Sequence, residues 1–349
     1  MKLQYDFVFL TNTPSFYKVN LCNEIARTHS VLLVLYGYGT EAVNTCLEDE
    51  RKHLFQYVFL HQGEAQSRNK WKTFFRLWTL MRSLSYQRVL YSGWFVPEYN
   101  MLSFFVPKQK NCVICESSAI ESSFSGLKGW IKKMIIHRMG TALPSGTLQQ
   151  EIFSTINYKG LISLTGGVGI FNKLPRNIPA KRMTMEKKYL YVGRLIDCKN
   201  IHFLIEQFNE LGKPLTIVGA GELFDELRKM AKDNIHFLGF VNNERLKDVY
   251  RAHDVFVLPS RTEPWGLVVE EAIYWGLPVI VSNCVGSRIE LVEKTGTGCV
   301  FTYNKPQSLK AAIANMELHY DIYRENTLNV DFDKRDLMQV RAYTQLIKK

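Results

Sequence analysis

Short apolar runs alternate along this chain with stretches in which apolar residues return every three or four positions. The run Tyr5–Leu10 ends in a turn-like Thr11-Asn12-Thr13-Pro14-Ser15, after which Val19, Cys22, Ile25 and Ala26 fall at helical spacing. The alternation recurs, predicting strands at Ser30–Tyr36, Phe55–Leu60, Gln87–Tyr91 and Asn111–Cys115 and helices around 70–85 and 127–138. Strands that are apolar throughout are buried on both faces, as in a parallel sheet covered by helices. The pattern predicts a doubly wound α/β domain over residues 1–172. Residues 173–187, with Pro175 and Pro179 among several lysines and arginines, keep neither period and are expected to be a linker. The pattern then restarts, with strands expected at Tyr189–Val192, Leu215–Val218, Ile235–Leu238, Val255–Leu258 and Val279–Val281. Helices are expected at about 200–210, 221–232, 243–251 and 268–275. A second domain of the same type is thus expected over 188–332, with a last helix over 333–349 free to cross back to the first domain. No fixed-period repeat is present, which sets solenoids aside.

Composition narrows this picture. A chain of 349 residues, 46% hydrophobic and 22% charged, has enough apolar side chain for two cores and none of the bias of disordered or fibrous chains. No run approaches the roughly 18 uncharged apolar residues of a membrane span. The first ten residues lack the basic start, long apolar region and cleavage site of a secretory signal. Seven cysteines, five of them isolated, do not suggest a disulfide framework, so a reducing, cytoplasmic setting is expected. The net charge is +11, and residues 51–140 hold 14 basic and 4 acidic side chains, so nearly all the excess lies in one quarter of the chain. There it is mixed with Trp71, Phe74, Phe75, Trp78, Trp130 and Ile131. Such a region suits an anionic partner: nucleic acid, a membrane or a phosphorylated substrate.

Chemistry concentrates where strands are expected to end. After Val255–Leu258 comes Ser260-Arg-Thr-Glu-Pro-Trp-Gly-Leu-Val-Val-Glu-Glu-Ala272, a loop carrying Glu263, Pro264, Trp265 and Gly266 and then a helix beginning near Leu267. Exposed N–H groups and the positive dipole end make such a helix start an anion site. Glu263 and Glu271 stand eight residues apart, one in the loop and one about a turn into the helix. Their separation, on the order of 10 Å, suits two hydroxyl-bearing groups on either side of a phosphate bridge. Glu270 reads as a solvated or hinge-facing neighbour. After Tyr189–Val192 comes Gly193-Arg-Leu-Ile-Asp-Cys-Lys-Asn200, in which Arg194 can form paired hydrogen bonds to phosphate and Lys199 adds a point charge. Val218-Gly-Ala-Gly-Glu222 is a glycine turn of the kind any strand-to-helix connection uses.

Together these segments resemble the retaining GT-B glycosyltransferases of family 4. The resemblance covers residues 188–303 through Gly-Arg-Leu with the following Lys-Asn, Val-Gly-Ala-Gly, Phe-Leu-Gly-Phe-Val at 237–241, the Glu-x7-Glu of Glu263 and Glu271, and Gly276-Leu-Pro278. It implies a GT-B fold, two doubly wound Rossmann-like domains facing across a cleft. The residues matching Arg194 and Lys199 would hold a donor diphosphate. Glu263 and the backbone of Pro264, Trp265, Gly266 and Leu267 would hold the donor sugar, Glu271 the ribose, and the backbone of Gly239, Phe240 and Val241 the base. No metal or other cofactor is implied, because the diphosphate already has Arg194, Lys199 and a helix terminus. The amino-terminal half resembles the family more loosely, in Pro14-Ser-Phe-Tyr-Lys18 and Asn23-Glu24, and so points to Tyr17, Lys18, Glu116 and Ser117 on the acceptor side. Ser117 stands where many members have a histidine, and His137 falls on a helix without a motif around it.

Other patterns carry less. Cys112-Val-Ile-Cys115 has zinc or redox spacing but lies within an apolar strand, so buried thiols are expected. Asp331-Phe-Asp333, a metal signature in a different glycosyltransferase fold, reads here as a helix start. The basic aromatic segments 70–82 and 128–138 suit an anionic membrane surface, and no signature of a nucleic-acid-binding module accompanies them. The expected activity is transfer of a sugar from a nucleotide donor, UDP-linked before GDP-linked, to a lipid-linked glycan of a bacterial surface polysaccharide (O-antigen, capsule or exopolysaccharide) at the inner face of the cell membrane. The alternative is a non-catalytic sugar-nucleotide or glycan-binding subunit.

Overall fold

The computed structural model describes residues 2–37, 47, 53–118, 122–178 and 186–347. The chain divides into two compact units, residues 1–172 with 333–349, and residues 173–332. The first is built on seven parallel strands: β1 (Leu3–Thr11), β2 (Val31–Leu35), β3 (Gln56–Phe59), β4 (Leu84–Ser92), β5 (Asn111–Cys115), β6 (Thr141–Pro144) and β7 (Leu161–Ile162), in the order β3-β2-β1-β4-β5-β6-β7. β1 is central, pairing Phe7 with Val31 on one side and Arg88 on the other. Its pleat divides the core. Val8 and Leu10 join Leu32 and Val34 on one face of the sheet, Phe7 and Phe9 join Val31, Leu33 and Leu35 on the other. Helices Lys70–Ser83, Pro97–Phe105, Gly126–His137 and Thr147–Thr155 cover the first face with Leu77, Met81, Tyr99, Leu102, Ile135, Ile136 and Ile152. Helices Phe16–Ala26 and Phe332–Thr344 cover the second with Val19, Cys22, Ile25 and Tyr343.

The second unit repeats the design with β8 (Tyr189–Val192), β9 (Leu215–Val218), β10 (Ile235–Gly239), β11 (Val255–Leu258), β12 (Val279–Ser282) and β13 (Gly298–Phe301), ordered β10-β9-β8-β11-β12-β13. Its helices are Ile201–Leu211, Phe224–Met230, Asn243–Arg251, Leu267–Tyr274, Pro306–Leu318 and Tyr320–Leu328. Residues 173–178 have no regular structure but are anchored within this unit: Arg176 donates to the carbonyls of Tyr274 (2.8 Å) and Thr327 (3.2 Å). The rest of the expected linker, 179–185, lies outside the described residues. Strand order reverses between β1 and β4 and again between β8 and β11, the topological switch points where open α/β sheets bind ligands at the strands' carboxyl ends.

Strands and helices beyond those expected are also present. β6, β7 and β13 lie beyond the strands expected; β7 has only two residues. The helices Pro97–Phe105 and Pro306–Leu318, each with a proline at its first position, and Thr147–Thr155 and Tyr320–Leu328 also lie beyond those expected. Cys112 and Cys115 both lie buried in β5, where burial pushes the Cys112 thiol up to about 12.

Candidate active site

Two neighbouring loops at the switch point of the second unit carry the main candidates, and the backbone fastens them together. β8 runs into Gly193–Asn200 and β11 into Pro259–Gly266. The carbonyl of Cys198 accepts from the N–H groups of Arg261 (2.9 Å) and Thr262 (3.3 Å), while the Asn200 side chain donates to the Pro259 carbonyl (3.2 Å). Asn200 takes a left-handed conformation, which Asn tolerates better than most residues, and so starts the helix Ile201–Leu211. On its other side the β11 loop is pinned to the segment after β12: Gly286 N–H donates to the Glu263 carbonyl (2.8 Å) and Ser287 N–H to that of Trp265 (3.1 Å).

This stitching brings Lys199 against Glu263. The ammonium and carboxylate form an ion pair with only 14% and 10% of their side chains exposed. Ser260 Oγ lies 3.4 Å from the same Glu263 oxygen. Gly266 then turns the chain into the helix Leu267–Tyr274 with φ +91, a conformation costly for any residue with a Cβ. That atom would also meet Glu263 Cγ at 3.2 Å. Arg194 is exposed at the start of its loop, without a carboxylate partner among the described residues, and its carbonyl accepts from the buried Tyr191 hydroxyl (3.0 Å). The glycine turn after β9 has a specific reason: a Cβ on Gly219 would stand 1.8 Å from the Gly193 carbonyl oxygen, and one on Gly221 2.2 Å from that of Leu195. Its glycines let it press against the loop that carries Arg194. Gly239 ends β10 with φ +67, and Phe240 beyond it is exposed.

Glu271 occupies the helix about one turn in, half-buried, and accepts from the Tyr250 hydroxyl (3.1 Å). Burial pushes its carboxyl up to about 7; the tyrosine's hydrogen bond opposes the shift and the adjacent Glu270 charge adds to it. Of the two settings expected for Glu270, solvated or hinge-facing, the solvated one does not hold. Glu270 is buried, and the indole of buried Trp265 donates to it across 3.3 Å. Five residues separate the pair, and the turn at Gly266 is what folds the tryptophan back over the helix's first turn.

In the first unit the carboxyl ends of β1 and β5 bring together Lys18 and Glu116, 3.1 Å apart and largely buried. Lys18 lies in the first turn of Phe16–Ala26, where the helix dipole disfavours a cation. Burial also opposes its charge, but Glu116 and then Tyr17 outweigh it, and the ammonium is held above its ordinary range. Tyr17 adjoins the pair, its hydroxyl raised chiefly by burial, and half-buried Ser117 follows Glu116. Asn23 and Glu24 are engaged elsewhere, Asn23 accepting from Leu54 N–H and Glu24 pairing with Arg27 (2.8 Å). His137 ends a helix that runs antiparallel to the strands, so it lies at the opposite edge of the sheet from Glu116. Sequence reasoning missed a cluster at the carboxyl edge of this sheet. Glu98, 1% exposed, pairs with Arg68 (2.9 Å) and accepts from Tyr36 (3.1 Å), whose ring stacks on Tyr99 at 4.3 Å. Asp331-Phe-Asp333 opens the last helix, Phe332–Thr344.

Residues 176–327, which hold Arg194, Lys199, Glu263, Gly266, Glu270 and Glu271, match the family model of glycosyl transferases group 1. This segment is a glycosyl transferases group 1 domain. Over 134 residues the chain is 37% identical to the uncharacterized glycosyltransferase MJ1607 of Methanocaldococcus jannaschii, covering 36% of this chain and 34% of that one. It is 30% identical over 166 residues to the O-antigen biosynthesis glycosyltransferase WbnH of Escherichia coli, covering 46% of each. The matched segments span between a third and about half the length of these relatives. Among solved structures, Anabaena Alr3699/HepE in complex with UDP-glucose superposes with a TM-score of 0.67 at 17% identity, over 98% of this chain and 95% of that one. Identity that low speaks for the fold alone. The fold is GT-B, with its two doubly wound units.

Proposed function

We infer that the protein is a retaining, metal-independent glycosyltransferase that moves a sugar from a nucleotide diphosphate donor, UDP-linked before GDP-linked, to a hydroxyl of a lipid-linked glycan in bacterial surface polysaccharide assembly. The observation that carries this reading is the contact between Lys199 and Glu263 at the β8/β11 switch point. One cation suited to phosphate and one carboxylate suited to sugar hydroxyls share a single spot beside a helix start. Arg194 supplies a second phosphate ligand from the same loop, Glu271 a carboxylate for the ribose, and the backbone at Gly239–Val241 a platform for the base. A nucleotide-sugar donor accords with the shared fold of HepE, which holds UDP-glucose, and the polysaccharide setting with the O-antigen biosynthesis in WbnH's name.

In the proposed reaction the acceptor hydroxyl attacks the anomeric carbon from the face the diphosphate leaves. The glycosidic bond forms as the bond from carbon to phosphate oxygen breaks, and the departing phosphate oxygen takes the hydroxyl proton. Arg194, Lys199 and the N–H groups at Leu267 stabilise the charge gathering on the diphosphate. Lys18 and Glu116, with Tyr17 and Ser117, line the acceptor side. A non-catalytic sugar-nucleotide subunit is the second reading, favoured by Ser117 in place of a histidine. Incubation with a panel of UDP- and GDP-sugars, with and without EDTA, separates the two. Transfer or donor hydrolysis that persists in EDTA supports the enzyme, and tight donor binding with neither reaction supports the subunit.

A further inference from the structure

The first unit exposes an apolar and cationic face that the donor chemistry leaves unused. Three of the helices on one side of its sheet, Lys70–Ser83, Pro97–Phe105 and Gly126–His137, turn large side chains to solvent: Trp71 (64% exposed), Phe75, Phe105, Leu127, Trp130 (59%) and Ile131. The helices adjoin. Phe105 packs edge-on against Trp78 at 4.7 Å, and Arg138 at the end of the third helix donates to the carbonyls of Ser103 and Val106 at the end of the second. Lys70, Lys72 and Lys128 are exposed and Lys133 half-exposed, each within three residues of an outward aromatic side chain. The three helices contain a single carboxylate, Glu98, and it is buried against Arg68. These three helices therefore present apolar and positive side chains to solvent and expose no carboxylate of their own.

From this surface we propose that the first unit docks on an anionic bilayer, Trp71, Phe75, Phe105, Leu127 and Trp130 entering the interface while Lys70, Lys72, Lys128 and Lys133 meet lipid phosphates. Aromatic side chains flanked by lysines are the composition that interfacial binding uses, and the attraction of each cation to an anionic leaflet is short-ranged and screened by salt. Helices Lys70–Ser83 and Gly126–His137 begin at the carboxyl ends of the strands they follow, so Trp71 and Leu127 stand toward the sheet edge that carries Lys18 and Glu116. A docked unit would present that edge to a glycan growing on a membrane lipid. The inference deepens the lipid-linked acceptor of the proposed function and needs that reading only for this last step.

Sedimentation with acceptor-free phosphatidylcholine vesicles, with or without phosphatidylglycerol, tests the surface apart from the reaction. The full chain is expected to bind the phosphatidylglycerol vesicles at least about tenfold more strongly than the neutral ones, and less as salt is added. One variant replaces Lys70, Lys72, Lys128 and Lys133 with Ser, and a second carries Trp71→Ser, Phe75→Ser and Trp130→Ser. Arg76 and Lys132 are kept, because they donate to the carbonyls of Leu60 (2.8 Å) and Ser123 (3.2 Å). Each variant should lose most of the binding while its melting temperature and UDP affinity stay unchanged. Equal binding to the two vesicle types overturns the proposal. So does an aromatic variant that binds like the parent, which would leave a purely electrostatic surface fit for an acidic protein or nucleic acid. A parent that dimerises without vesicles, and whose aromatic variant does not, would also overturn it by assigning the face to a second copy. Loss of vesicle binding with transfer intact on a soluble acceptor would leave the donor-site reading standing.

Discussion

Glu263→Gln is expected to tighten the binding of UDP, although it removes a side chain assigned to the donor. The amide fills the same volume beside Gly266 and Ser260 and keeps a hydrogen-bonding oxygen, but it cancels the charge that holds Lys199. Two charges about 4 Å apart in a partly buried setting attract by about 4 kcal/mol before solvation is counted. The Lys199 and Glu263 side chains, 14% and 10% exposed, fit that setting. A diphosphate must take Lys199 from this carboxylate and then sit beside a like charge. In the variant Lys199 is already free, and desolvation of its unpaired ammonium offsets part of the gain. A net of about 1–2 kcal/mol remains, which is about 5- to 30-fold in affinity. For the intact donor the variant also loses charge-assisted hydrogen bonds to the sugar, about 1.5–3 kcal/mol, so UDP-sugar should gain less than UDP or weaken outright. Calorimetric titration with UDP and with UDP-sugar measures both, and the melting temperature controls for folding. In a Lys199→Met background the Glu263→Gln effect on UDP should vanish, since the cycle isolates the pair. UDP affinity that falls, or stays within about twofold, would show that the carboxylate does not compete with the diphosphate for Lys199 and would refute the reasoning.

Further outcomes follow from the same geometry. Arg194→Ala should weaken UDP and UDP-sugar alike by about 10-fold or more, the loss of a charged hydrogen bond to phosphate, and equal affinity for parent and variant by titration would remove Arg194 from the site. Because burial raises the Glu271 carboxyl from 4.5 to about 7, its cost to stability is absent below pH 4.5, grows as pH rises through this window and is complete above 7. Glu271→Gln should therefore gain up to about 3 kcal/mol relative to the parent at pH 8 and nothing at pH 4, as read from denaturant midpoints. If the ionised carboxylate accepts from the ribose, UDP affinity should also rise from pH 6 to 8 in the parent and stay flat in the variant. Gly266→Ala, at φ +91 and with its new methyl pressed on Glu263 Cγ, should lower transfer by about tenfold or more while stability falls by about 1–3 kcal/mol, and an unaffected kcat would mean that the turn does not position Glu263.

The parts of this arrangement legible in the sequence are those encoded locally. β1, β2, β8 and β11 are buried on both faces, so their apolar runs announce them, and the polar and glycine-rich residues just beyond mark the strand ends where ligands bind. The pairing of Lys199 with Glu263 is not local. It spans 64 positions and depends on β8 and β11 being neighbours, which follows from the reversal of strand order and not from any spacing. The same holds for Glu98, Arg68 and Tyr36, joined by a sheet edge and unrelated in sequence pattern. Glu270 misled because an exposed helix start and one capped by a folded-back indole have the same composition. The exposed aromatics of Pro97–Phe105 were hidden with the helix that carries them, behind a proline that fits its first position.

The proposed retaining transfer is tested most directly by following the anomeric proton signals during reaction of a nucleotide sugar with a soluble acceptor. The arrangement of Arg194, Lys199, Glu263 and Glu271 predicts consumption of the donor, release of the nucleoside diphosphate and a product whose new linkage keeps the donor's anomeric configuration, with all three signals lost in Glu263→Gln. An inverted linkage, or a tightly bound donor that is never consumed, would contradict it.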